Sequence, residues 1–141
     1  MKIEQTSRDT VLAFSDDIQF AIRIPASVKR EVLAVLRAKG KGAPTAQLML
    51  FTAGLFLLLR DIAQDLVAVT IDQEYPGHEA DIRGMLLRFF RERSGLQISK
   101  ETIVFGQIGR RSRAHERAWR VHRGKVAPDH VVTMAELLDV L

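Results

Sequence analysis

The stretch Val67–Asp81, VAVTIDQEYPGHEAD, decides the fold class. Its first half is apolar and β-branched, the composition of a strand. It breaks at Tyr75-Pro76-Gly77 and restarts with His78, Glu79 and Asp81, residues suited to the first turn of a helix. A strand feeding a helix through a short turn is a building unit of α/β domains. The pattern predicts a strand over Val67–Glu74 and a helix over His78–Arg93. Ile82, Leu86, Phe89 and Phe90 form that helix's inward face, and Gly95 ends it.

Toward the N-terminus, Thr10–Ser15 (TVLAFS) and Phe20–Pro25 (FAIRIP) flank Asp16-Asp17 and predict a β-hairpin. Phe20, Ile22 and Ile24 alternate with Ala21 and Arg23, the pattern of a strand with one wetter face. Ser27 is the expected N-cap of a helix over Val28–Lys39, closed by Gly40. Thr45 is the expected cap of an apolar helix from Ala46 to about Leu66. Within it, Leu48–Leu59 (LMLFTAGLFLLL) is twelve residues long, too short to cross a hydrocarbon core of ~30 Å. It reads as a buried central helix, and no membrane partner is expected.

Toward the C-terminus, Thr102–Ile108 predicts a strand, and Ser112 can cap a helix that runs to His122 and stops at Gly124. Thr133 and Glu136 form a capping box before Leu137, Leu138, Val140 and Leu141. The order is ββααβαβαα. The expected architecture is a single globular domain over residues 1–141, of class α/β (or α+β), with a mixed sheet of about four strands covered by helices.

Composition narrows the function. The absence of cysteine excludes a disulfide scaffold, a cysteine nucleophile and a thiolate zinc site. Polar and acidic residues occupy the start of the chain where a secretory signal would be apolar, so a cytoplasmic location is expected. The sequence has no Gly-x-Ser-x-Gly elbow, no Walker loop, and no haem, flavin or nicotinamide signature. Net charge is +4, but Arg110–Lys125 holds seven basic residues and one acid, a local balance of +6 that leaves −2 elsewhere. The basicity is therefore concentrated, and concentrated basicity points to a polyanionic partner.

Two clusters carry candidate chemistry. Asp72 and Glu74, two apart at the end of the expected strand, leave one face, at the strand end where α/β proteins form ligand crevices. With Glu79 on the following helix they are candidate ligands for Mg²⁺ or Mn²⁺, which take carboxylate oxygens. His78, Glu79 and, from the basic segment, His115 are candidate proton-transfer residues. The alternative is structural: acids favour helix N-termini through the macrodipole, and Glu79 can pair with Arg83.

On the helix after Ser112, Arg113, Arg117, Arg120 and Arg123 (or Gly124) make one stripe at i, i+4, i+7 and i+10, while Ala114, Ala118 and Val121 make the packed side. Arg110, Arg111, Arg113, Arg117 and Arg120 are candidate phosphate ligands, and Trp119 a candidate stacking residue. The alternative is a solvated basic face with Trp119 in the core. Together the clusters suggest a metal-dependent phosphodiesterase or nuclease acting on nucleic acid. A non-catalytic nucleic-acid-binding module, or an oligomeric protein-interaction domain forming homo-oligomers, are the competing readings.

Overall fold

A computed structural model describes residues 3–15, 19–106 and 113–141, without the side chains of Phe14, Ser15, Gln19, Arg113 and His115. Strands β1 (Thr10–Ser15) and β2 (Gln19–Ile24) form the expected antiparallel hairpin, with Thr10 opposite Ile24 and Ser15 opposite Gln19. Helix α1 (Ala26–Ala38) begins earlier than Ser27 would set it. Pro25 occupies the cap position, and the Asp9 carboxylate accepts from Ala26 N–H at 2.8 Å. Asp9 therefore caps the helix from across the fold. At the other end Gly40, at φ +86°, lets Gly40 N–H and Lys41 N–H reach the Arg37 and Leu36 carbonyls.

Helix α2 (Ala43–Leu59) is the central element, started by Gly42 and Pro44 instead of Thr45. It is apolar around its whole circumference and buried along most of its length. The chain then leaves the helix at Arg60, well before Leu66, and makes a short 3-10 turn over 63–65. Gly54 lies directly against the hairpin. A Cβ at that position would lie 2.8 Å from Leu12 Cδ1 and 3.1 Å from Ile24 Cδ1.

Strand β3 (Val69–Asp72), helix α3 (Glu79–Ser94) and strand β4 (Ile103–Gly106) follow, with β3 and β4 parallel. As the periodicity predicts, α3 buries Ile82, Leu86, Phe89 and Phe90. Phe90 and Phe89 meet Phe56 of α2 at ring-centroid distances of 5.3 and 6.3 Å. Helix α4 (Arg113–His122), strand β5 (His130–Val131) and helix α5 (Met134–Val140) complete the chain. The α5 capping box forms as expected, with Thr133 and Glu136 exchanging side-chain-to-backbone bonds.

The class is mixed α/β, but the strands divide into two sheets where one of about four strands was expected. One has the order β1-β2-β5 and the other pairs β3 with β4. The two-residue β5, absent from the expected order, runs parallel to β2 with Ile22 opposite His130. It is too short to carry a periodicity of its own, and the β2 backbone defines it. One core joins α1, α2, α3, α5, β2, β3 and β4. A smaller one, of Val11, Ala21, Ala118 and Val121, glues α4 to the other face of the hairpin. The wetter face of β2 is thus also covered, which accounts for the small residue at Ala21.

Candidate functional site

The acidic segment begins where the parallel strands end. Asp72 stands opposite Gly106, and Gln73 N–H donates to the Gly106 carbonyl at 3.2 Å. Because β3 stops at Asp72, Glu74 lies in the turn, and the shared strand face expected of the two acids does not extend to it. Both are half-buried and engaged with neighbouring groups. Tyr75 packs its ring 5.1 Å from that of Phe51 and donates its hydroxyl to Glu4 at 3.1 Å. Burial foremost, and then the Glu4 carboxylate, raise the Tyr75 phenol well above its ordinary pKa, so it stays protonated. Gly77, at φ +87°, turns the chain into α3.

At the start of α3 the side chains pair off. Glu79 accepts from Gln73 Nε2 at 3.4 Å, and His78 Nδ1 lies 3.3 Å from Asp81 Oδ2, both groups exposed. Asp81 also borders a pocket of about 390 Å³ between α2 and α3, with Thr45, Leu48, Gly84, Met85 and Arg88. Among the described residues no three histidine or carboxylate side chains converge as a metal site requires. Asp72 ends β3 and Glu79 opens α3, and the Gln73–Glu79 and His78–Asp81 contacts are exposed pairs.

Helix α4, in the described part of the basic segment, packs on the separate β1-β2-β5 sheet. Helix α4 is fastened to the hairpin at two points besides its apolar face. Arg23 donates to the Val121 carbonyl at 2.9 Å near the helix C-terminus. Arg117 donates to Asp129 at 3.1 Å, and the same Asp129 oxygen accepts from Ala21 N–H at 2.7 Å. The Nε of Arg117 is buried and has no hydrogen-bond partner among the described residues. Arg117 thus belongs to the seam between α4 and the sheet, where Asp129 neutralises it.

Other groups of α4 face solvent. Trp119 is 46% exposed, and the Arg123 guanidinium lies 4.5 Å from its ring centroid, a cation–π contact. Arg120 is exposed and sits 3.6 Å from Glu116, one helical turn back, a pair weakly held in water. Lys125 follows in the exposed segment after the helix. The His122 ring is 6.3 Å from that of Trp119 and tilted by 33°. Burial foremost, with neighbouring positive charges including Arg8, lowers its pKa, which favours the neutral ring.

Of the candidate residues, Arg110 and Arg111 lie outside the described residues, as do Ser112 and the side chains of Arg113 and His115. The structure leaves Trp119, Arg120 and Arg123 of α4 exposed and sets Arg123, a member of the expected basic stripe, over the Trp119 ring at the i, i+4 spacing. Asp129, the acid that holds Arg117, had no local signal at all. Comparisons of the chain with protein-family models, curated proteins and solved structures give no match.

Proposed function

We propose that this protein is a nucleic-acid-binding module whose contact surface is the solvent face of α4. The observation that supports it best is the exposed Trp119 with Arg123 across its ring, on a helix whose opposite side is packed. A large indole left in water beside concentrated positive charge suits a ligand with both phosphates and flat bases. Arg120, Arg123 and Lys125 supply described cations in a segment whose balance is +6. The test is binding of labelled oligonucleotides across a salt series. Log affinity should fall linearly with log salt, and Arg120→Ala should reduce that slope by roughly 0.7–0.9. Affinity indifferent to both salt and Arg120 sinks the proposal.

A second reading, a Mg²⁺- or Mn²⁺-dependent phosphodiesterase, draws on one observation. The register of β3 and β4 sets Asp72 at the carboxyl ends of two parallel strands, ahead of Glu79 on α3. In that reading Asp72, Glu74 and Glu79 hold the ion and His78 moves protons. Its test is metal-dependent cleavage of the same oligonucleotides, abolished by Asp72→Asn. Retained substrate with either ion excludes it.

A further inference from the structure

We infer that the ligand of α4 is single-stranded nucleic acid, its bases stacking on the Trp119–Arg123 platform. This deepens the reading of α4 as a polyanion surface and rests on it. Charge alone would need no aromatic group. The spacing of Trp119, His122 and Arg123 at i, i+3 and i+4 puts three flat groups side by side. Planar groups recognise the faces of bases. In a duplex those faces are hidden in the stack and only base edges and phosphates are presented, whereas an unpaired strand offers a face at every nucleotide.

The platform is also preorganised. Val121 and Ala118 seat α4 on the hairpin, the Arg117–Asp129 pair ties it to the segment before β5, and Arg23 holds the Val121 carbonyl. The helix therefore need not order itself on binding, which favours affinity. A guanidinium already lying over the indole can shift to sandwich an incoming base or to take a phosphate beside it. Arg120 and Lys125, exposed on the same segment, can follow the backbone of the strand. His122 adds a further flat ring beside Trp119.

The experiment uses the full chain and four probes of equal nucleotide number: oligo-dT, oligo-rU, an abasic DNA strand and a DNA duplex. Binding is read by anisotropy of labelled probe and by quenching of Trp119, the only tryptophan in the chain. The inference predicts that oligo-dT or oligo-rU binds at least about tenfold more tightly than the abasic strand and the duplex, with Trp119 quenched. The dT-to-rU ratio identifies which kind of strand is preferred. Trp119→Ala should weaken binding of the base-bearing strands by about 5- to 100-fold, leave the abasic strand unaffected and keep the salt slope. Trp119→Phe should recover most of the loss. Because the side chain is exposed, both variants should keep the wild-type circular dichroism and melting midpoint. Equal binding of all four probes with Trp119 unquenched overturns stacking but leaves a polyanion surface. Failure to bind any of them overturns both.

Discussion

Removing the Asp9 carboxylate should loosen the start of α1, and removing the Ser27 hydroxyl should not. Asp9 Oδ1 accepts from Ala26 N–H at 2.8 Å, one of the four donors a helix start leaves without an internal partner. Ser27 is exposed, already inside the helix, and no side chain of the cap residue takes that role. Loss of a capping oxygen costs ~1 kcal/mol, within a range of about 0.5–2. Asp9 Oδ2 also lies 3.8 Å from Arg23 Nε, a partly exposed pair that adds only about 0–1 kcal/mol.

Asp9→Ala should therefore destabilise by about 1–2.5 kcal/mol, lowering the melting midpoint by roughly 3–8 °C for a chain of this size. Asp9→Asn keeps an accepting oxygen and should lose only the electrostatic part, below about 1 kcal/mol. Ser27→Ala should fall within about ±0.5 kcal/mol, since alanine is the better helix former. Urea unfolding followed by far-ultraviolet circular dichroism measures all three, and the slopes should stay equal so that midpoints compare directly. If Ser27→Ala costs more than Asp9→Ala, or if Asp9→Asn matches Asp9→Ala, the carboxylate is not acting as a cap.

Three further outcomes are expected. Lys29 is fully buried and donates to the Gln5 carbonyl at 2.8 Å and the Thr10 hydroxyl at 2.9 Å. Lys29→Ala loses the stem and both bonds and should cost about 2–4 kcal/mol, whereas Lys29→Met keeps the stem and should cost less. Equal losses in urea unfolding would deny the stem any packing role. Gly54→Leu should destabilise by about 1–3 kcal/mol despite better helix propensity, because Leu12 and Ile24 already occupy the space. An unchanged midpoint would show that the hairpin yields. For Glu136, burial raises the carboxyl pKa, but bonds from Thr133 N–H, His130 and the Thr133 hydroxyl outweigh it, leaving a value below the ordinary 4.5. A depressed carboxylate stabilises fully above that ordinary value, and its contribution is lost as pH falls through the folded one. The stability gap between wild type and Glu136→Gln should be ~1 kcal/mol near neutrality and shrink below pH 4.5. A gap that does not change with pH would remove the carboxylate from the account.

Local pattern made much of the fold legible. Gly40, Gly95 and Gly124 all adopt positive φ at or just beyond the helix ends they were expected to mark. The 3.6-residue stripe of α3 and the Thr133–Glu136 box involve residues within a few positions of one another, so sequence spacing carries them directly. The cap of α1 was not legible because its acceptor is 17 residues away. Thr45 is a residue type suited to an N-cap, yet α2 starts earlier, with Gly42 at the cap position and Pro44 in its first turn. The division into two sheets was hidden too, since an apolar strand pattern says which face is buried but not which strand lies alongside.

At the candidate surface the same boundary applies. The sequence by itself determined that positive charge is concentrated between Arg110 and Lys125 and that Ala118 and Val121 form the packed side of that helix. Both follow from composition and helical periodicity, which are local. Only the tertiary structure decided which of those charges are left in solvent and which are paired. Arg117 is neutralised by Asp129, which reaches it through the pairing of its segment with β2, while Trp119 and Arg123 are left together in solvent. The physical reason is that a cation's availability depends on the partner the fold brings to it, and that partner comes from another element of the chain.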